Sequence, residues 1–423
     1  MKIKRFFLSS LLLIVFLLTI SGCSNNGACT PVSLEKANWS EKNYRVLMRL
    51  IDDYGIGGKF REENKPPYIV LDWDQTCAYL DVEEATMRYQ LLHLKFKLTR
   101  EQFKGLLRDN INGITQLSAE YKNIPLADIN ADLENDYNYL FDHYLGANGT
   151  LSFAEVQNKP QYWDFVTKVA FLYDGYCSTA GIGADYGYPW VIYLFTGHTK
   201  DEIKKMAAEA ISYELGNPLS KQTWQSPDTL PSKAGVVSYS FKTGLRIIPE
   251  MQNLMAAFTD SGFDVYIVTA SYKPIVEVFS GINRFGYNIP AENVIGMEIA
   301  SAADGRLLPE YKAGWVKTYR GGKVEAINMA IKTGLGKNWD PVFSSGDSDG
   351  DYEMFTAFPN MKLTLIWNRV KGGDIGILCR QAVNESVDEN PRYILQGRDE
   401  NKGIAIPSPA TILFGKTEPQ LLY

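Results

Sequence analysis

Tyr68-Ile69-Val70-Leu71-Asp72-Trp73-Asp74-Gln75-Thr76 is the stretch on which the fold turns. Four apolar residues in a row, approached through polar residues 59–65 and Pro66-Pro67, predict a strand buried on both faces, as in a parallel sheet. The acidic pair follows at once, where an open α/β sheet gathers its ligands beyond the carboxyl ends of the strands. An alternating Asp-x-Asp lets one carboxylate act as nucleophile while its neighbour gives or takes a proton. Asp in such a place also commonly makes turns and caps, so the pair needs support from elsewhere in the chain.

Working outward, runs of the same kind are expected as strands at 265–268, 341–343 and 363–366. The first of these follows a helical pattern at 249–258 and the breaker Gly262. Strands alternating with helices define a parallel α/β fold. A helix is also expected over 40–54, with Tyr44, Leu47, Met48, Leu50 and Ile51 on one face and Gly55 as its stop. Residues 81–242 have another character. Capping-box pairs recur there, Thr99 with Gln102, Ser152 with Glu155 and Thr199 with Glu202, each ahead of helical periodicity. The expected organisation is therefore a signal segment (1–22), a tether (23–40), an α/β core (41–80 and 243–423) and a helical domain inserted between (81–242). Residues 393–423, rich in turn formers, read as an extended tail packed on the core.

Three further pieces carry chemistry. Thr269 ends the second strand with a hydroxyl able to hold a phosphate oxygen. Lys323, in Gly321-Gly322-Lys323-Val324-Glu325-Ala326-Ile327, lies near a helix start and supplies a point charge. Ser345-Gly346-Asp347-Ser348-Asp349-Gly350-Asp351 follows the third strand, and its carboxylates suit Mg²⁺, which is commonly held by one or two carboxylates plus substrate phosphate. The run lacks the spacing and second helix of a calcium loop.

In this order the pieces resemble the haloacid dehalogenase superfamily: Asp-x-Asp-x-Thr, a hydroxyl, a later Lys, then Gly-Asp-x-x-x-Asp. The core resemblance covers 41–80 and 243–380. It implies a Rossmann-like parallel sheet with a large helical cap inserted after the first motif, and a Mg²⁺-dependent phosphomonoesterase acting through an aspartyl-phosphate. By the same resemblance Asp72 is the nucleophile and Asp74 the general acid and base, while Thr269 and Lys323 hold the phosphoryl group. Mg²⁺ falls to Asp72, the backbone carbonyl of Asp74 and Asp347, with Asp351 supporting the metal's surroundings. Trp73 and Gln75 depart from the usual residues, and Thr269 replaces a common Ser. Asp74 sets the chain apart from the dehalogenases themselves. The lack of transmembrane helices, with Asp74, sets it apart from transport ATPases. Phosphoserine, sugar or nucleotide phosphates are alternative substrates. A non-catalytic ligand-binding lipoprotein is the rival reading, and it would need no intact set of Asp72, Asp74, Lys323 and Asp347.

Composition narrows the field. The chain has 423 residues, 45% apolar, with 43 Lys plus Arg against 49 Asp plus Glu; this is a globular balance without the basic face of a nucleic-acid binder. Its three His (His93, His143, His198) have no ligand spacing, which argues against a His-built zinc site. Lys2, Lys4 and Arg5 precede an apolar run at 6–20, too short for a membrane span and followed by Ile20-Ser21-Gly22-Cys23. That end resembles a bacterial lipobox, which implies cleavage before Cys23, acylation of its thiol and anchoring to a bacterial membrane. Ser24 after it resembles the pattern of outer-membrane lipoproteins. Removing 1–22 leaves 40 basic residues against 49 acidic ones, a charge of −9. Pairing of Cys29, Cys77, Cys177 and Cys379, and the oligomeric state, stay open.

The insert is expected to choose the leaving group. Residues 171–195 hold eight aromatics (Phe171, Tyr173, Tyr176, Tyr186, Tyr188, Trp190, Tyr193, Phe195), against 13% aromatic overall. Such runs are most often core, yet aromatic faces also bind quaternary ammonium groups, and Asp81, Glu83 and Glu84 stand nearby in sequence. Residues 189–199 and 395–401 resemble those of secreted phosphorylcholine-phosphatase-type members of the superfamily. Phosphocholine is thus the expected substrate, with Glu83 and Trp190 as the binding residues.

Overall fold

The computed structural model describes residues 32–146 and 149–422. The expected signal peptide, Cys23 and Cys29, with half of the tether, lie outside them. Tyr68–Leu71 forms β1, buried at every position. Ile69 and Leu71 enter one apolar core and Tyr68 and Val70 another, as period-two alternation requires of a strand covered on both faces. With β2 (Asp264–Tyr272), β3 (Val294–Met297), β4 (Phe343–Gly346), β5 (Leu363–Trp367) and β6 (Tyr393–Gln396) it makes a parallel sheet in the order β6-β5-β4-β1-β2-β3. The chain steps outward from β1 to β3, then returns to β4 on the other side of β1. That reversal opens a crevice beyond the carboxyl ends of β1 and β4.

The expected helix at 40–54 is Glu41–Tyr54, with Ser40 capping the N–H of Asn43. All three capping boxes form, at Thr99, Ser152 and Thr199. β4 starts at Phe343 rather than 341, because Pro341 has no N–H for a central ladder. The inserted block is mostly helical, with long helices at Pro160–Ser178 and Lys200–Gly216. It also holds an antiparallel hairpin, Ser220–Gln225 with Ser238–Thr243, which a purely helical reading misses. Its second strand alternates, with Tyr239, Phe241 and Thr243 buried between more exposed neighbours. The reading of 393–423 as an extended tail is corrected too. Tyr393–Gln396 is the edge strand β6, and the rest folds into a small sheet of four two-residue strands, Arg398–Asp399, Ile404–Ala405, Thr411–Ile412 and Pro419–Gln420. No described helix is long and apolar enough to cross a membrane. Cys77, Cys177 and Cys379 are free thiols.

Candidate active site

Asp72 leaves β1 with its N–H donating to the Ser345 carbonyl at 2.9 Å, so the sheet itself carries the carboxylate. Alternation continues past the strand. Asp72 and Asp74 line a cavity, while Trp73 packs edge-on against Phe279 and Tyr287, with ring centroids 5.4 and 4.8 Å away. The bulk of Trp73 is therefore spent in the core, away from the chemistry.

Lys323, buried, bridges two acids: its Nζ donates to Asp72 Oδ1 and to Asp351 Oδ1, each at 2.6 Å. The Thr76 hydroxyl donates to Asp72 Oδ2 at 3.1 Å. Asp351 Oδ2 accepts the N–H groups of Asp347 (3.0 Å) and Ser348 (3.2 Å). This loop closes tightly over Gly346, where a Cβ would stand 2.5 Å from Asp351 Oδ2; glycine at the end of β4 lets the carboxylate come in. Asp347 Oδ2 accepts from Arg369 Nη1 at 2.5 Å. Asp349 also lines the cavity, with its Oδ1 accepting from the N–H of Ile375 at 2.8 Å.

Asp74 is held from two sides. Ser271 Oγ, at the end of β2, donates to Oδ2 at 2.6 Å, and the N–H of Val82, where the inserted block begins, donates to Oδ1 at 2.7 Å. Thr269 lines the cavity and its hydroxyl accepts from the N–H of Ser271 at 3.1 Å.

The cavity has a volume of about 320 Å³ and takes walls from both the core and the insert. Every residue expected to handle phosphate or metal lines it: Asp72, Asp74, Thr269, Lys323, Asp347 and Asp351. Glu83 lines it as well, its carboxylate anchored by the N–H of Tyr272 at 2.5 Å. Trp190 does not, and its assignment as a binding residue is corrected. It is 1% exposed, donates to the Leu106 carbonyl at 3.0 Å and lies edge-on to Tyr176. Tyr188, two positions earlier and so roughly 200° around the helix, is the residue of Ala184–Tyr193 that reaches the cavity, together with Tyr173 from Pro160–Ser178.

Sequence reasoning passed over Ser271, Arg369 and Lys371, all of which line the cavity. The signal was present in each case. Arg369 and Lys371 follow β5 as Asp72 follows β1, and Ser271 shares a face of β2 with Thr269.

The charges do not balance. Asp72, Asp74, Asp347 and Asp351 converge against Lys323, Arg369 and Lys371. Burial, then Asp351, pushes the Asp72 carboxyl up to about 8, with Lys323 pulling the other way. Burial, then Asp81, raises Asp74 well above the usual carboxylate range. Burial acts to lower the Lys323 pKa, but Asp351 and Asp72 outweigh it and hold it above the ordinary value. Asp347 stays below the usual range because Arg369 and Lys371 overcome the effect of burial. Carboxylate oxygens of Asp72, Asp347 and Asp351 lie within 4.8 Å of one another. Asp351 meets Lys323 and two N–H groups, Asp72 meets Lys323 and Thr76, and Asp347 meets Arg369 through one oxygen. An all-oxygen donor set carrying surplus buried negative charge fits a hard divalent cation.

The parallel sheet, the insertion directly after the first acidic motif, the acidic motifs at the ends of β1 and β4, Thr269 within β2 and Lys323 on the helix Gly321–Ala326 match the Rossmann-like core and inserted cap that the sequence resemblance implies. Comparison with known proteins agrees in outline. The chain is 24% identical over 294 residues to a phosphorylcholine phosphatase of Pseudomonas aeruginosa, a match spanning 70% of this chain and 62% of that relative. A conserved protein of unknown function from Anaerococcus prevotii has a crystal structure that superposes with a TM-score of 0.82 at 28% identity, covering 91% of this chain and 100% of the other. No family model matches the chain.

Proposed function

We propose that this chain is a phosphomonoesterase that works through an aspartyl-phosphate on Asp72. The observation that carries this reading is the convergence of Asp72, Asp74, Thr269, Lys323, Asp347 and Asp351 on one cavity at the sheet's switch point. Asp72 is placed to attack phosphorus, with Lys323 and Thr76 fixing its two oxygens. Asp74, kept protonated to unusually high pH by its burial, gives its proton to the departing alkoxide and then takes one from the water that releases phosphate. Thr269 and Lys323 hold the phosphoryl oxygens through both steps. Mg²⁺, held by Asp72, Asp347 and the Asp74 carbonyl with Asp351 in support, would supply the positive charge that lets a carboxylate and a phosphate dianion approach.

The same reading extends to the leaving group. Asp81, Glu83, Tyr173 and Tyr188, all from the inserted block, also line the cavity, a setting of acids and aromatic faces that suits a quaternary ammonium group. Burial, then Asp81, raises the Glu83 carboxyl well above its ordinary value; a cationic headgroup would return it to the charged form. Together with the Pseudomonas relative, whose name specifies phosphorylcholine, this favours phosphocholine over phosphoserine or a sugar phosphate. The cellular setting belongs to the same proposal: a chain acylated at Cys23 and anchored outside the cytoplasm to a bacterial outer membrane, on its periplasmic or surface side.

The test is direct. Purified protein with Mg²⁺ should hydrolyse a chromogenic aryl phosphate, and Asp72→Asn should abolish turnover; wild-type rates in that variant would refute the reading. For the substrate, phosphocholine should show a higher kcat/KM than phosphoserine or glucose 6-phosphate. Tyr188→Ala and Glu83→Gln should each raise its KM roughly 2–30-fold while sparing the aryl phosphate. Equal kcat/KM on all three esters would remove phosphocholine and leave the phosphatase.

A further inference from the structure

Gln75 stands between the two residues whose aim the reaction needs: Asp74 precedes it, and Thr76, the donor to Asp72, follows it. Its backbone is left-handed, with φ +63°, a conformation that a residue with a side chain holds only where its surroundings impose it. Those surroundings come from the far end of the chain. Arg398 Nη1 donates to the Gln75 carbonyl at 3.0 Å, and Nη2 donates to Gln75 Oε1 at 2.9 Å. The arginine is 2% exposed, and its guanidinium lies over the Tyr79 ring at 5.0 Å. A rigid fork that grips both the main chain and the side-chain amide of one residue fixes its place and its orientation together.

The fork is braced in turn. Nη2 also donates to Glu400 Oε1 at 2.9 Å, and Glu400 Oε2 accepts from Lys242 Nζ at 2.9 Å and from the N–H of Phe414 at 3.2 Å. The Tyr79 hydroxyl donates to the Glu400 carbonyl at 2.9 Å. Lys242 lies on Ser238–Thr243, the strand by which the inserted block returns to the core. An unbroken set of contacts thus runs from the insert through the C-terminal sheet to the turn that carries both catalytic carboxylates.

We propose that Arg398 is a positioning residue: it locks the 72–76 turn through Gln75, and with Glu400 and Lys242 it ties that turn to the inserted block, which makes the C-terminal sheet part of the catalytic apparatus. The predicted effect on kcat rests on the phosphatase reading; the lock itself does not. Two variants test it. Arg398→Lys keeps a cation beside Glu400 but cannot reach both Gln75 acceptors, and Gln75→Ala removes one acceptor without leaving a buried charge unpaired. Both are measured for aryl phosphate kinetics with Mg²⁺ and for amide hydrogen exchange of residues 72–80. The lock predicts faster exchange in that segment for both variants. It also predicts a kcat about 10–100-fold lower for Arg398→Lys with KM within about threefold of wild type, the signature of displaced catalytic groups. Unchanged exchange in the folded variants overturns the proposal whatever the kinetics, and so does faster exchange with unchanged kcat. If Arg398→Lys does not fold, Gln75→Ala decides on the same two readouts. If wild-type protein releases no phosphate, the phosphatase reading falls and exchange alone decides the lock.

Discussion

At the scale of single residues, the account depends on two aspartates two positions apart behaving differently. Asp72 is bound by a lysine and a hydroxyl, whereas Asp74 meets only Ser271 and a backbone N–H, so burial leaves Asp74 protonated well past the usual carboxylate range. Its acid role needs that proton, so the rate should fall on the alkaline side. With an alkyl phosphate, kcat/KM should decline as pH rises through the Asp74 value, and pH–rate profiles of Asp74→Asn should lose that limb with a rate about 10²–10⁴-fold lower. With an aryl phosphate, whose leaving group needs little protonation, both effects on kcat/KM should shrink, while kcat stays low because the phosphoryl-enzyme still lacks its base. Lys323 offers a second check. Lys323→Met leaves Asp72 and Asp351 buried without their shared cation, which predicts a kcat lower by about 10²-fold or more and a loss of about 3–5 kcal/mol in denaturant unfolding. Most of this constellation was legible, because a carboxylate or hydroxyl directly after an apolar run is visible in one dimension. The position of Arg369 after β5 was legible in the same way, but its pairing with Asp347 was not, since Asp347 lies on the loop after a neighbouring strand and nothing local joins them.

At the scale of elements, the helical run 184–193 shows why composition misleads where periodicity decides. Its aromatics look alike in sequence, yet Tyr188 faces the cavity and Trp190 fills the core. Trp190→Ala should therefore cost about 3–5 kcal/mol of stability and leave the ranking of substrates unchanged, by melting curves and a substrate panel. A shift in that ranking without a loss of stability would reverse the assignment. The capping boxes were readable because they are local, and β6 was hidden because Tyr393–Gln396 is a strand only by pairing with β5. The C-terminal sheet gives a prediction in pH. Burial pushes the Glu400 carboxyl up, but Arg398 and Lys242 prevail and hold it at about 2, against an ordinary 4.5. A depressed carboxylate stabilises the fold above its unfolded value and loses that contribution as pH falls through the folded one. Urea unfolding of Glu400→Gln should show a deficit of about 1–2 kcal/mol at pH 7, discounted because Lys242 is partly open to solvent. The deficit should narrow as pH drops from 4.5 toward 2, and a gap constant with pH would show that the ion pairs are not its source.

At the scale of the whole molecule, the sequence pattern places β1 and the acidic loops at their ends correctly, and so the crevice, while the antiparallel hairpin of the insert and the C-terminal sheet emerge only from contacts distant in sequence. These two late pieces meet the catalytic turn through Lys242, Glu400 and Arg398. The chain's setting is open to test as well: full-length protein expressed in bacteria should incorporate labelled palmitate, Cys23→Ser should lose the label, and labelling that survives the substitution would contradict anchoring at that residue. The most direct measurement of the central claim is chemical trapping of the intermediate. Asp74→Asn enzyme, mixed with an aryl phosphate and Mg²⁺, should still be phosphorylated, because the aryl leaving group departs unaided, and should then stall for want of a base to activate water. After acid quenching and peptide mass spectrometry, the account predicts one phosphoryl group on the peptide carrying Asp72, at the Asp72 carboxylate and released by hydroxylamine. Wild-type turnover with no phosphorylated Asp72 in the stalled variant, or with the phosphoryl group on another residue, would contradict it.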